Sequence, residues 1–424
     1  MKKIVNVLAF PGTNCQQETA RALRKAGFKS SVLRWNEDQE IIAKSDGLVI
    51  AGGFSFEDRG RSGVIAANSA VSNVIRRMAH EGKPILGICN GAQILVETGL
   101  VPGFHRGVIE MALSRNRRQD ETGILGSGFY HDFIFLKPTG KQCAWTHFEG
   151  VLKLPIAHGE GRFIGNKETI SAVMKNGQNA LTYCHHNGEE DPHFPVNPNG
   201  SVHNLAAVCN PEGNVMAMMP HPERIDGGQK IFESLHTFFA QKEENRTDIV
   251  LPPQPKRASI LPKQEYDVEL FVTLKITDNT AKTMEIAFRE KTKNYAVSLS
   301  RAMFWGITGK QSPEEIMHTI LNSEAFFNEN KEVAIFRVGN DFFTVRNGKI
   351  APYSASSTNV WRILAQEKDD ILGEEKAEYL QKNEGHSLHI SSGVVWEFSE
   401  KPNEDEVLSS ALFANPISGE LRYV

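Results

Sequence analysis

The chain is poor in the features that would place it in a specialised class. Its 424 residues include five cysteines, Cys15, Cys89, Cys143, Cys184 and Cys209, an odd number with no C-x-x-C pair. That usage argues against a disulfide framework and fits a reducing cytoplasm, where most thiols act as small buried hydrophobes. No apolar run approaches the roughly 18 residues of a membrane span. The stretch Ile4–Phe10 stops at Pro11-Gly12 without a small-residue cleavage site, so it predicts a first strand rather than a signal peptide. One-sided charge is also missing. Lys plus Arg total 47 against 51 Asp plus Glu, a net charge of -4, whereas a nucleic-acid footprint needs a basic excess. The expectation is a soluble cytoplasmic protein with neither nucleic acid nor membrane as partner.

What is present is a regular alternation. Ile4–Phe10, Ser31–Trp35, Gly47–Ala51 and Pro84–Ile88 read as strands, and Gln16–Ala26, about Val64–His80 and Gly91–Glu97 as helices. Strand–helix alternation with Gly-rich turns predicts a doubly wound, mostly parallel α/β sheet. Ligands of such folds gather beyond the carboxyl ends of the strands. Residues 1–242 form this predicted domain. Residues 243–265, with Pro252-Pro253, Pro255 and Pro262, read as a linker.

Beyond it the pattern turns to α+β, and a repeat emerges. Trp305-x-x-x-x-Lys310 with Glu314-Glu315-Ile316 and Leu321 recurs 91 residues on as Trp396-x-x-x-x-Lys401 with Asp405-Glu406-Val407 and Leu412. Each copy reads as strand, helix, strand, which predicts two related small sandwiches at 266–338 and 339–424. The alternative is coincidence between two amphipathic helices.

The sharpest chemical signal is Gly87-Ile88-Cys89-Asn90-Gly91, directly after a buried strand. Glycines two residues to either side of a nucleophile permit the tight strand-to-helix turn of a nucleophile elbow. The helix N-terminus favours negative charge on the sulfur, and the Asn90 N–H points at a developing oxyanion. A nucleophilic thiol needs a base and a group that orients the base. Met219-Pro220-His221-Pro222-Glu223 offers both, with His221 and Glu223 on the same side of a segment that its prolines keep extended. Gly52-Gly53, at another strand end, is placed to give a second oxyanion N–H. Each element alone has a bland reading: a buried thiol, a surface His–Glu pair, a turn. Their combination in one chain favours catalysis.

Together, Gly52-Gly53-Phe54-Ser55, Gly87-Ile88-Cys89-Asn90-Gly91, Ala157-His158-Gly159-Glu160-Gly161 and Pro220-His221-Pro222-Glu223-Arg224 resemble a class I glutamine amidotransferase. More narrowly, residues 3–240 are similar to the glutaminase component of phosphoribosylformylglycinamidine (FGAM) synthase. The resemblance implies hydrolysis of glutamine, with ammonia passed to an FGAM synthetase large subunit. It assigns Cys89 as nucleophile, His221 as proton shuttle and Glu223 as its orienter. Gly53 and Asn90 become the oxyanion donors, and Gln93, His158, Gly159 and Glu160 the glutamine pocket. Arg61 falls on the face toward the synthetase. No cofactor or metal is implied in this chain, while the partner uses ATP and Mg. Ser55-Phe56-Glu57-Asp58 departs from the family's Ser-Tyr-Gly-Asp, and Cys184–Asn197 looks longer than usual. The tail vaguely resembles the small bridging subunit of the same synthase, which would then be fused here in two copies. The rival readings are another Cys–His amide hydrolase on this fold, or a catalytically silent regulatory subunit.

Overall fold

The computed structural model describes residues 2–140, 143–241, 249–256, 258–354 and 360–424. The chain divides into two compact units, Met1–Lys256 and Arg257–Val424. In the first, a nine-stranded sheet runs in the order Val32–Arg34, Val5–Ala9, Gly47–Ile50, Ile85–Ile88, Val215–Met218, Leu205–Cys209, Leu181–Cys184, Tyr130–Pro138, Leu152–His158. The first five strands pair in parallel. The other four extend the sheet antiparallel. Gly47–Ile50, Ile85–Ile88 and Val215–Met218 are buried along their whole length, which is why they read as unbroken apolar runs. This order sets Ile85–Ile88 beside Val215–Met218. Residues that follow these two strands, distant in sequence, therefore leave the sheet side by side.

Two elements differ from expectation. The helix predicted over Val64–His80 is two, Val64–Ala67 and Val71–His80. Asn68 Nδ2 and Ser69 Oγ bond the carbonyls of Val64 and Ala66 at 3.0 and 2.6 Å, side-chain bonds that compete with helix continuation. A short helix, Gln39–Ala43, forms where no periodicity announced it, started by Asp38 accepting the Glu40 N–H.

Of the predicted linker, residues 243–248 and 257 lie outside the described residues. The remainder is tethered rather than free. Val250 exchanges two hydrogen bonds with the Asn176 side chain, at 2.8 and 2.9 Å. Ile260–Leu261 pairs in parallel with Leu421 and Arg422.

The second unit is one nine-stranded sheet, not two separate sandwiches. Each copy is β-α-β-α-β. The first comprises Val268–Leu274, Asn279–Thr292, Leu299–Thr308, Pro313–Ser323 and Glu332–Val338; the second comprises Trp361–Glu367, Ile371–Glu384, His389–Phe398, Glu404–Ser410 and Gly419–Tyr423. The central strands pair antiparallel, with Met303 opposite Val394, positions 91 residues apart like the two tryptophans. Arg301 faces Trp396 and Ser392 faces Trp305 in the same ladder, so a two-fold axis passes through Met303–Val394. Helix caps repeat as well: Ser312 and Asn403 each cap their helix. Asp278 caps one helix and binds Arg301, while Asp370 caps its counterpart and binds Ser392. Each tryptophan meets a phenylalanine edge-on, Trp305 with Phe326 and Trp396 with Phe413, at 5.1 and 5.3 Å.

The halves interlock. Phe288 of the first copy meets Phe398 edge-on and Phe413 at a tilt in the second, while Leu372, Ala377 and Leu380 of the second join the core around Trp305 and Ile316 of the first. Burial of each half's aromatic core thus depends on the other half. The boundary at 338/339 also moves. The hairpin Asp341–Arg346 and Lys349–Pro352 pairs onto Glu332–Val338 and belongs to the first copy's edge.

Candidate active site

Cys89 ends the strand Ile85–Ile88 and caps the helix Asn90–Glu97 with φ 52° and ψ -106°. A non-glycine residue held in the left-handed region is strained, the mark of a nucleophile elbow. The turn closes only because its neighbour lacks a side chain: a Cβ on Gly91 would stand 2.0 Å from the Ile50 carbonyl oxygen. The Cys89 N–H is fixed on the Met218 carbonyl at 2.8 Å, which ties the elbow to the strand that leads to His221.

His221 Nδ1 lies 2.6 Å from Glu223 Oε1, with side-chain exposures of 3% and 0%. Burial disfavours a charged ring, yet Glu223 and Cys89 outweigh it and hold the imidazole pKa well above its ordinary value. The ring and Cys89 flank the same glycine, Gly52. A ring held in its charged form can act as a general acid. The extended segment expected here is a 3₁₀ turn, Pro222–Arg224, with Pro222 at its first position. The turn, rather than strand alternation, folds the carboxylate back onto the ring.

Gly52 packs directly against this pair: a Cβ there would lie 2.9 Å from His221 Cε1 and 3.4 Å from Cys89 Cβ. Among the described residues, no backbone acceptor takes the Gly53 N–H. Asn90 opens its helix, so its N–H has no acceptor within that helix. Both N–H groups thus lack a backbone acceptor among the described residues.

Residues 2–231 match the family described as CobB/CobQ-like glutamine amidotransferase domain. The chain belongs to this glutamine amidotransferase family. It is 40% identical over 260 residues to the phosphoribosylformylglycinamidine synthase subunit PurQ of Methanothrix thermoacetophila, covering 56% of this chain and 98% of that protein. The PurQ of Methanocaldococcus jannaschii is 36% identical over 241 residues, 54% of this chain and 96% of that protein. A solved structure of PurLQS from Thermotoga maritima aligns over 56% of this chain and 100% of that chain, at 30% identity and TM-score 0.45.

Within the amidotransferase domain, the predicted pocket residues occupy unequal places. Gln93 is engaged at both ends, donating to the Glu160 carbonyl at 2.7 Å and accepting from Asn90 Nδ2 at 2.9 Å. Glu160 is exposed, whereas His158 is buried with its Nδ1 on the Asn116 side chain. Burial, reinforced by His221, lowers the His158 pKa to about 3, so this ring stays neutral. Gly159 holds Asn116 by accepting its N–H at 2.9 Å. Arg61 forms a bidentate pair with Glu97 at 2.5 and 3.0 Å, its side chain 16% exposed. The longer stretch after Cys184 gathers no metal-type cluster among the described residues. Its end is structural, with Asn197 buried and its Nδ2 on the Ser201 carbonyl at 2.9 Å.

Two participants were not singled out from sequence. Cys15 Sγ lies 4.0 Å from His221 Nδ1 and 3.0 Å from Arg224 Nη2. Cys15, His221 and Glu223 offer donor atoms within 4.8 Å of one another, a set that could hold a cation, but the Arg224 guanidinium already brings positive charge there. Cys15 follows the first strand's carboxyl end, the location that could have flagged it. Asp58 accepts from Asn90 Nδ2 at 3.1 Å. Burial, then Glu160, raises its pKa to about 7.

Proposed function

We infer that this chain is the glutaminase of a phosphoribosylformylglycinamidine synthase. It hydrolyses glutamine to glutamate and supplies ammonia to an ATP-dependent synthetase large subunit, which converts formylglycinamide ribonucleotide to its amidine in purine biosynthesis. The observation that carries this reading is Cys89 on a strained elbow, facing across Gly52 an imidazole that a buried Glu223 holds in place.

In the first half-reaction the Cys89 sulfur attacks the side-chain carboxamide carbon of glutamine. The carbonyl oxygen takes the charge and is met by the Gly53 and Asn90 N–H groups. His221 protonates the departing nitrogen, ammonia leaves, and a γ-glutamyl thioester remains. In the second half-reaction His221 takes a proton from water, the resulting hydroxide attacks the thioester, and glutamate leaves with return of the thiolate. Glu223 orients His221 throughout and stabilises its charged form. Gln93, His158, Gly159 and Glu160 frame the pocket, with His158 acting as a neutral packing group. No group beyond these side chains is required for hydrolysis.

The C-terminal unit acts as a bridge to the synthetase, in the manner of the small subunit of the same synthase. Its two-fold, duplicated β-α-β-α-β sheet supports this reading, since it builds within one chain what two small subunits would assemble. Residence in the cytoplasm is supported by five free, buried cysteines. Among the described residues no helix is long and apolar enough to cross a membrane.

The test uses Cys89→Ala in the full chain, reconstituted with the synthetase. Glutamine-dependent product should vanish while ammonia-dependent product persists. Product still formed from glutamine would remove Cys89 as nucleophile. Turnover of a different amide, with glutamine inert, would assign the site to another hydrolase.

A further inference from the structure

We propose that the Asn90 carboxamide is a positioning residue that fastens the oxyanion-hole loop to the nucleophile elbow through Ser55 and Asp58. This rests on the glutaminase reading above and assigns the side chain, not the backbone, of Asn90 a task.

Asn90 is 1% exposed, and each polar atom of its side chain is committed. Oδ1 accepts the Ser55 N–H at 3.0 Å, and Nδ2 donates to Asp58 Oδ1 at 3.1 Å and to Gln93 Oε1 at 2.9 Å. The loop it grips is not at rest. Phe56, Glu57 and Asp58 all lie in the left-handed region, with φ of 52°, 58° and 51°. Three consecutive non-glycine residues there persist only where surrounding contacts over-determine them. On the far side the loop is tied to the turn after the first strand, through Phe54 N–H to Gly12 at 3.0 Å and Phe56 N–H to Pro11 at 2.7 Å. On the elbow side the hydrogen bonds to the loop come from Asn90. Gly53 sits between Gly52, which touches His221, and Ser55, which Asn90 holds. The carboxamide therefore sets where the Gly53 N–H stands relative to Cys89, and tolerates Glu57 where a glycine would adopt this backbone freely.

The experiment uses the full chain with its synthetase and compares Asn90→Ala, Asn90→Asp and Asn90→Asp combined with Asp58→Asn. Asn90→Ala should lose on the order of 100-fold in kcat, the scale of one oxyanion donor, with the rise in KM that follows from freeing Gln93 smaller than the loss in kcat. Cys89 should still be alkylated by iodoacetamide at the wild-type rate, because Asn90 makes no hydrogen bond to the His221–Glu223 pair. Asn90→Asp sets two carboxylates together and should be impaired, and adding Asp58→Asn restores a donor–acceptor pair and should recover kcat. Wild-type kcat in Asn90→Ala, a loss confined to KM, failure of the double variant to recover, or alkylation falling in step with kcat would each overturn the proposal. Failure of the underlying reading is a separate outcome: the wild-type complex would consume no glutamine and Cys89 would not be labelled by a glutamine analogue.

Discussion

Gly52 lies so close to His221 that a methyl group in place of its α-hydrogen would stand 2.9 Å from the ring's Cε1. A ring buried on all sides and fastened to Glu223 has little room to yield. Gly52→Ala should therefore cost roughly 100-fold in glutamine-dependent turnover, the effect of displacing a catalytic group by about 1 Å. Thermal stability should change far less than turnover. Near-normal turnover would mean that the imidazole can shift without loss of geometry.

Asp58 gives a pH signature in stability. Its carboxyl, raised to about 7 by burial and by Glu160, is protonated more readily folded than unfolded. Its contribution is therefore full below the unfolded value near 4 and is lost as pH rises through about 7. Asp58→Asn, neutral at every pH, should raise the melting temperature relative to wild type at pH 8, with the difference shrinking toward pH 4. An equal difference at both pH values would remove this assignment.

His158 runs the other way. Its pKa, lowered to about 3 by burial and the neighbouring charge of His221, makes the neutral ring part of the folded state. The stability this represents is complete above about 6.5 and declines as pH falls toward 3. A urea titration series should show this slope in wild type and a flatter one in His158→Gln. Identical slopes would mean that other groups govern acid unfolding.

The interlocked tail predicts that its halves do not fold apart. Phe288, fully buried against Phe398 and Phe413 of the other copy, should cost about 3–5 kcal/mol when changed to alanine. A fragment spanning residues 266–352 should lack a cooperative unfolding transition, because the helix Ile371–Glu384 that covers Trp305 is missing. A sharp transition in that fragment would restore the picture of two independent sandwiches.

The catalytic elements were legible because each is contiguous. Gly87–Gly91 and Pro220–Arg224 carry their spacing within a few residues, and the sheet order then brings them together. Asn90 to Asp58 and Cys15 to Arg224 were not legible, since those contacts join residues from separate elements and no local pattern encodes them. The Arg61–Glu97 pair was hidden for the same reason, as Glu97 lies on a helix distant in sequence. In the tail, the Trp–Lys pattern exposed only the second half of each copy. The leading strands, Val268–Leu274 and Trp361–Glu367, share a place in their copies but neither burial pattern nor residue identity. The interlocking of the halves was hidden because amphipathic spacing tells that a helix face is covered, not which strands cover it.

Placing both copies of the tail in one polypeptide also frees each from mirroring the other. In a dimer of identical chains any substitution appears twice, so a change useful at one surface is imposed on its symmetry mate. Here the cap carboxylate meets a guanidinium at Asp278–Arg301 and a hydroxyl at Asp370–Ser392, a charge on one side of the axis and none on the other. Joined copies can specialise, so the sheet can present two different faces while keeping one shared architecture.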